Sequence, residues 1–295
     1  MKILITGANG FLGKIIFKGL SNKYNLKCLS RSSLDYKVFL EREVPHFKQK
    51  FNLVIHAAGK AHSVPKTEEE KQHFFNVNVT GTENLLKGLE LIGVPKQFVF
   101  ISSVSVYGQE TGVNINEEYP LEAKDPYGLS KIAAEKLVAE WSIRHNVVCT
   151  ILRLPLLVGL NPPGNLGSMI KAIEKGYYFN IGGGEAKKSM VLAEDVASFI
   201  PTVASIGGIY NLSDGYHPTF LELSIAIAKQ LGKSNPKNLS IFITKWIGYV
   251  GDLFGNKAPI NSRKIKKITS DLTFDDSKAR KFVGWKPQRV LSYFE

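Results

Sequence analysis

Apolar residues in this chain fall into short unbroken runs, separated by stretches of helical period. "KILITG" (2–7), "LKCLS" (26–30), "NLVIHAAG" (52–59), "KQFVFISS" (96–103) and "VVCTILRL" (147–154) are apolar on consecutive positions. That is how strands buried on both faces read. Between them the period becomes helical: Phe11, Ile15, Ile16 and Leu20 share one stripe of 10–20, and longer helices are expected over 67–92 and 126–145. Strands alternating with helices predict an α/β fold, a Rossmann-type, doubly wound parallel sheet covered by helices on both faces.

After about residue 155 the pattern loosens. "GLNPPGNLG" (159–167) is a loop by its proline and glycine content, and "SMIKAIEKG" is helix-like. The turn "IGGGEAKKS" follows, then a strand in "GGIYNLSDG" (207–215) and an amphipathic helix over 219–232. The expected division is a dinucleotide-binding domain over 1–160, to which segments near 187–215 return, and a smaller, partly interleaved substrate region over 161–295.

Composition narrows the class. With 295 residues, 44% hydrophobic and 22% charged, the chain can bury a real core. Cys28 and Cys149 sit in apolar runs without a CxxC partner, which fits a reducing cytoplasm rather than a disulfide scaffold. "MKILITGANG" reads as a first strand, not a secretory leader. No apolar stretch approaches the ~18 residues of a membrane span. The net charge of +12 is spread along the chain without a nucleic-acid motif, so an enzyme handling phosphorylated small molecules is expected rather than a nucleic-acid binder.

"TGANGFLG" places Gly7, Gly10 and Gly13 between the first strand and the first helix. The first glycine allows the turn, the second lets backbone approach a pyrophosphate, and the third lets helix and strand pack closely. The end of the second strand, "LSRSS", has no carboxylate for a ribose 2′-hydroxyl. Arg31 suits a 2′-phosphate, which tips NADP(H) or NAD(H) toward NADP(H), although an exposed loop arginine would look the same.

"DPYGLSKIAAEKL" (125–137) starts a helix with Asp125 as N-cap and Pro126 as first residue, which puts Tyr127 and Lys131 on one face at i and i+4. A lysine ammonium beside a tyrosine, together with an oxidised nicotinamide, would lower the phenol's pKa from about 10. The tyrosine then exchanges a proton with a sugar oxygen while hydride moves. "FISSVSVYG" (100–108) brings hydroxyls to the carboxyl edge of the sheet, where a substrate oxygen needs orienting.

With these motifs the chain resembles the extended short-chain dehydrogenases/reductases, in the nucleotide-sugar epimerase/dehydratase group, over essentially its whole length. Val106-Tyr107-Gly108 matches the family's VYG, which makes Ser103 the catalytic hydroxyl beside Tyr127 and Lys131. His56-Ala57-Ala58 matches HxAA, and Asn78-Val79-Thr80-Gly81-Thr82 matches NVxGT, where the asparagine stabilises the site. Asp35 is a weaker match to an adenine contact. The resemblance also implies cofactor contacts at Asn9, Phe11, Leu12, Ser32, Gly59, Ser102 and Leu154, and substrate contacts at Lys60, Ser103, Ser105, Lys188 and Arg263. It implies a homodimer packed through 67–92 and 126–145.

Departures from the family pattern choose among its reactions. Dehydratases carry T-D-E before VYG; here Ser103, Val104 and Ser105 offer no carboxylate. Epimerases of the UDP-galactose type carry asparagine three residues after the arginine that ends the next strand; here Leu156 follows Arg153. "KKSMV", "RLPLLVG" and "SDLTFDDSKARKFVGWKP" look like the branch that reduces 4-keto sugars or epimerises amino sugars for bacterial surface polysaccharide. The expectation is 4-keto reduction on a UDP-, dTDP- or GDP-type hexose, with 4-epimerisation as the alternative. A non-catalytic NAD(P)-binding regulator is a remote third, since such proteins often lose the tyrosine or lysine.

Lys188 matches the family's phosphate side, with Arg263, Lys264 and Lys267 as further cations; a solvated helix face explains them equally. His46, His56, His62 and His73 match no zinc spacing, so no metal is expected. In "FITKWIGYVGDLFG" (242–255), Phe242, Trp246, Ile247, Val250 and Phe254 recur at near-helical spacing. That predicts packing against the core or a dimer partner. The alternative is peripheral membrane contact beside the basic 261–269, which would suit a lipid-linked sugar.

Overall fold

A computed structural model of the chain describes residues 1–61, 63–252 and 261–295. His62, residues 253–260 and the side chains of Ile247 and Val250 lie outside the described residues, so the expectations for His62, Ile247, Val250 and Phe254 do too.

The strands are β1 (Lys2–Thr6), β2 (Asn25–Ser30), β3 (Tyr36–Lys37), β4 (Leu53–His56), β5 (Gln97–Ser103), β6 (Gly112–Ile115), β7 (Val148–Leu154), β8 (Leu156–Val158), β9 (Phe179–Ile181), β10 (Met190–Leu192), β11 (Gly208–Asn211), β12 (Lys237–Leu239) and β13 (Leu272–Phe274). The helices are α1 (Phe11–Leu20), α2 (Glu68–Phe75), α3 (Gly81–Ile92), α4 (Pro126–Arg144), α5 (Gly164–Glu174), α6 (Ala193–Val203), α7 (Phe220–Gln230), α8 (Ile241–Asp252), α9 (Ser262–Thr269) and α10 (Ser277–Val283).

A seven-stranded sheet runs β11-β7-β5-β4-β1-β2-β3, and every ladder in it is parallel. Side chains alternate across it with period two. Ile3, Ile5, Ile55, Val99 and Leu152 enter one core with α1 and α6. Leu4, Val54, Phe98, Phe100 and Ile151 enter the other, against α3 and α4. This is the doubly wound α/β sheet read from the apolar runs.

Strand order reverses between β1 and β4, the place where such sheets bind ligands. Residues after 187 divide between cores. The side chains of α6 and β11, with Ala279 and Val283 of α10, join the β1 side of the sheet. A third core gathers Val158, Leu166, Met169, Met190, Leu223, Ile227, Val290 and Phe294 around α5 and α7. Three two-stranded parallel ladders, β8 with β10, β9 with β12 and β6 with β13, tie these parts together.

The helix expected over 67–92 is α2 and α3 joined by a π-helical turn, Asn76–Thr80. Such turns carry an extra residue within a helix and often sit at functional sites. Residues 242–252, the described part of the segment 242–255, depart from the core-packing alternative. Helix α8 leaves Phe242 77% and Trp246 74% exposed, so these side chains do not enter the core. Among the described residues no helix is long and apolar enough to cross a membrane.

Candidate active site

The glycine loop leaves β1 at the sheet's point of reversal. Gly7 has φ +70°, and a Cβ there would lie 2.6 Å from the backbone N of Ala58 at the end of β4. A Cβ on Gly13 would lie 2.1 Å from the Gly7 carbonyl oxygen. Both positions therefore need glycine for sterics as well as for the turn. Gly10 is the N-cap of α1 and supplies no side-chain cap, so the first amides of α1 keep their capacity for an anion. Asn9 donates to Ser30 Oγ at 2.9 Å and Ser32 Oγ at 2.6 Å, joining the loop to the end of β2. Phe11 and Leu12 pack on the core behind the loop, and Leu154 is buried in the same core.

Arg31 is exposed at the end of β2 and forms no ion pair among the described residues. Asp35 turns back onto β2, where it accepts from Lys27 Nζ at 2.7 Å and the Cys28 amide at 3.0 Å.

The end of β5 and the start of α4 carry the expected serine, tyrosine and lysine. Asp125 Oδ1 accepts from the amides of Tyr127 (3.1 Å) and Gly128 (3.0 Å), fixing the first turn of α4. A Cβ on Gly128 would lie 2.8 Å from the Ser105 carbonyl oxygen, so glycine lets this turn close on the loop after β5. Ser103 Oγ donates to Ser105 Oγ at 3.1 Å, and the Ser103 hydroxyl lies near enough to the Tyr127 phenol to favour its ionised form. Burial pushes that phenol above the ordinary tyrosine pKa, and the Ser103 hydroxyl only partly offsets it. The protein by itself thus favours the protonated phenol; the lowered pKa expected from Lys131 together with an oxidised nicotinamide concerns the cofactor-bound site.

Lys131 is 6% exposed. Its ammonium donates to the Ile101 carbonyl oxygen at 2.9 Å and lies 4.8 Å from the centre of the Phe100 ring. Burial pushes its pKa down to about 8, while the Glu135 carboxylate pulls it up. A Cβ on Gly59 would lie 3.3 Å from Lys131 Nζ and 3.2 Å from Asn78 Oδ1, so Gly59, Asn78 and Lys131 converge. Lys60 Nζ lies 5.3 Å from the centre of the Phe74 ring, and that ring is 6.1 Å from Tyr127's.

A relay beneath these groups escaped motif reading. The Ala58 amide donates to Thr6 Oγ1 at 3.1 Å, and Thr6 Oγ1 lies 2.6 Å from His56 Nδ1. His56 Nε2 lies 2.8 Å from Thr82 Oγ1, which donates to the Asn78 carbonyl at 2.7 Å. Because Thr82 spends its proton there, the network assigns the imidazole proton to Nε2. Burial, with the Lys131 charge nearby, pushes His56 down to about 3, so it is neutral. From the π-helical turn Asn78 donates to Ser130 Oγ at 2.9 Å, and Ser130 donates to the Tyr127 carbonyl at 2.7 Å. Ser130 therefore holds the Tyr127 backbone and is itself held by Asn78, whose carbonyl the Thr6–His56–Thr82 chain reaches.

A second buried network lies under β5. Ser102 donates to Glu135 Oε1 at 2.5 Å, so it faces the network and not a ligand crevice. Arg153 meets Glu135 Oε2 at 2.7 Å and Tyr107 Oη at 3.1 Å, and Tyr107 donates to Asn211 Oδ1 at 2.8 Å.

Two of the four cations expected at substrate phosphate are engaged elsewhere. Lys188 donates to the carbonyls of Lys267 (2.9 Å) and Ser270 (2.8 Å), closing the C-terminal end of α9. Burial, with Lys267 nearby, pushes its ammonium down to about 8. Arg263 pairs with Glu110 at 3.0 Å on the surface.

A parallel sheet with a glycine cradle at its point of reversal, and a Ser–Tyr–Lys set at its carboxyl edge, defines a dinucleotide-binding short-chain dehydrogenase/reductase of the extended type. The family model described as "NAD dependent epimerase/dehydratase family" matches residues 3–213, and the chain belongs to that family. It is 28% identical to a UDP-glucose 4-epimerase of Vibrio cholerae, over 98% of this chain and 92% of the relative. It is 27% identical to an N-acetyl-alpha-D-glucosaminyl-diphospho-ditrans,octacis-undecaprenol 4-epimerase of Escherichia coli O157:H7 (94% and 88%). A GDP-6-deoxy-D-mannose reductase of Pseudomonas aeruginosa matches at 28% over 75% of this chain and 77% of the relative. Among solved structures, RMD from Pseudomonas aeruginosa complexed with NADPH superposes with TM-score 0.74 at 22% identity, covering 99% and 96% of the chains. A Thermus thermophilus UDP-glucose 4-epimerase complexed with NAD gives 0.73 at 21%, covering 100% and 99%.

Proposed function

We propose that this chain reduces the C4 ketone of a nucleotide-activated hexose with NADPH, in the synthesis of a surface polysaccharide. The observation that supports the reading is Ser103 at the end of β5 brought beside Tyr127 at the start of α4, with no carboxylate at positions 104 and 105. A phenol that holds its proton in the free protein suits an acid that protonates a ketone oxygen. Elimination of water would need additional carboxyl groups in that loop, which argues against dehydration.

The residues present fit a dinucleotide. The Gly7–Gly13 cradle and the uncapped start of α1 suit its pyrophosphate, Arg31 and Ser32 its adenosine ribose, and Lys131 its nicotinamide ribose. Exposed Arg31, with no carboxylate beside it in "LSRSS", favours NADP(H) over NAD(H). Bound there, the cofactor supplies hydride. Ser103 orients the sugar oxygen, and Tyr127 Oη gives that oxygen its proton. The Lys131 ammonium, charged below about pH 8, favours the phenolate that remains and so eases its formation.

C4 epimerisation is the second reading, supported by the epimerases among the relatives. It uses the same tyrosine, which then takes a proton before returning it. Absorbance and mass spectrometry of the purified protein, followed by mixing with UDP-glucose, UDP-GlcNAc and a UDP-4-keto-6-deoxy sugar, separate the two. Reduction predicts stoichiometric NADPH consumption on the keto sugar, reduced at least about a hundredfold in Tyr127→Phe. Retained cofactor with C4 inversion and no net oxidation establishes the epimerase. Cofactor binding without turnover of any sugar moves the reading to a regulator.

A further inference from the structure

Helix α8 is turned inside out relative to an ordinary amphipathic helix. Thr244 (2% exposed), Gly248 and Gly251 face the protein. Phe242 (77%), Ile243 (53%), Trp246 (74%) and Tyr249 (65%) face outward. At 100° per residue Phe242, Trp246 and Tyr249 fall within one narrow stripe, opposite the buried small residues. The inward face is built for close approach: a Cβ on Gly248 would lie 2.6 Å from Ile265 Cδ1 of α9. Thr244 spends its hydroxyl on the Ser240 carbonyl, so nothing polar on that side demands water.

The surroundings are cationic. Lys245 is exposed on α8, and α9 exposes Lys264, Lys266 and Lys267 around its single buried residue, Ile265, while its Arg263 is paired with Glu110. Neither helix carries a glutamate, and the one aspartate, Asp252, holds the amide and hydroxyl of Ser262 at the start of α9. The chain as a whole carries +12. Aromatic side chains on a helix exposed to water, flanked by lysines, match an interface with acyl chains below and anionic headgroups above. Aromatic rings favour that boundary because one end is apolar and the other polar.

We propose that the α8–α9 face docks on the surface of an anionic phospholipid bilayer, without spanning it. The docking is independent of which C4 reaction the site performs.

The full chain supplies its own reporter. Its three tryptophans are Trp141, Trp246 and Trp285, and the other two are each 3% exposed. The test mixes purified protein with vesicles of phosphatidylcholine alone, or with about one-third phosphatidylglycerol, and reads flotation and tryptophan emission. Expected are flotation with the anionic vesicles, a blue shift lost in Trp246→Phe, and release at about 0.5 M salt. Phe242→Ser with Trp246→Ser, and separately Lys245→Glu with Lys266→Glu, each lower the partition coefficient at least about tenfold. These positions are exposed, so the variants keep the fold, checked by circular dichroism. Flotation equal on neutral vesicles, or no flotation, overturns the proposal. So does a dimer that Phe242→Ser with Trp246→Ser dissociates while vesicles leave emission unchanged, because the face then belongs to a second copy.

Discussion

Replacing Glu135 by glutamine removes one charge from the most deeply enclosed ion pair in the described structure. Glu135 is 4% exposed and Arg153 3%. Three bonds reach the carboxylate within 3.1 Å or less: Ser102 Oγ at 2.5 Å, Arg153 Nη2 at 2.7 Å and Arg153 Nε at 3.1 Å. Glutamine keeps one acceptor oxygen but turns the other end into a donor facing a guanidinium. Breaking a buried pair from one side typically costs about 3–5 kcal/mol, because the remaining charge has no partner and no water. Arg153 retains Tyr107 Oη and the Glu117 carbonyl, which argues for the lower end, about 3 kcal/mol. At about 2 °C per kcal/mol for a chain of this size, the melting temperature should fall by roughly 6 °C.

The same change reaches the site. Glu135 holds the Lys131 pKa up against burial, so its loss moves Lys131 further below about 8. The alkaline limb of kcat/KM should move to lower pH with it. Thermal unfolding by circular dichroism and a pH–rate profile taken well below the transition measure both effects. A double-mutant cycle with Arg153→Met separates pair from parts. Removing both charges should cost about 2 kcal/mol less than the two single losses added together. A Glu135→Gln variant within about 1 kcal/mol of the parent, with an unmoved alkaline limb, refutes the reasoning.

His56 makes stability depend on pH with a definite sign. Its pKa is about 3 folded against 6.5 unfolded, so the unfolded chain takes up the proton first and stability falls as pH drops below 6.5. Between pH 6.5 and 5 this amounts to about 2 kcal/mol, and His56→Gln should flatten that part of a denaturant-midpoint profile. Gly13→Ala puts a Cβ against backbone that cannot swing aside; it should cost about 3 kcal/mol and weaken dinucleotide binding measured by calorimetry, and Gly10→Ala, whose Cβ would lie 3.2 Å from Gly7's oxygen, should cost less. Arg31→Asp should move the ratio of KM values for NADPH and NADH toward NADH by roughly tenfold, and an unchanged ratio would remove Arg31 from cofactor selection.

The legible parts of this molecule are those that repeat a local constraint. Each buried strand of the large sheet is apolar on both faces, so β1, β4, β5 and β7 announce themselves as continuous runs. The glycine cradle is legible because three close approaches fall within seven residues, and the Asp125–Lys131 start of α4 because cap, tyrosine and lysine are contiguous. Strands β6, β8, β9, β10, β12 and β13 are three or four residues long and pair only through tertiary contacts, which no period of two can register. Thr6, Thr82, Ser130 and Glu135 are ordinary residues in their own segments. Their roles exist only once β1, β4, the π-helical turn and α4 are brought together, and no spacing along the chain encodes that meeting.

Helix α8 shows the opposite case, in which the period is right and the core-packing alternative is not. A helical repeat of Phe242, Trp246 and Tyr249 states that these side chains share a face, but says nothing about what the face meets. Burial is decided by the other face. Gly248 and Gly251 permit an approach that larger residues would forbid, as the 2.6 Å from a Gly248 Cβ to Ile265 Cδ1 shows, and Thr244 satisfies its hydroxyl within the helix. Small residues repeated at three- and four-residue spacing, opposite an aromatic stripe and beside the lysines of α9, were therefore the informative pattern. They indicate a helix that packs on its protein through the thin side and keeps its apolar side for something else. An anionic membrane surface is the occupant we propose for it, because it accounts for both the aromatics and the lysines.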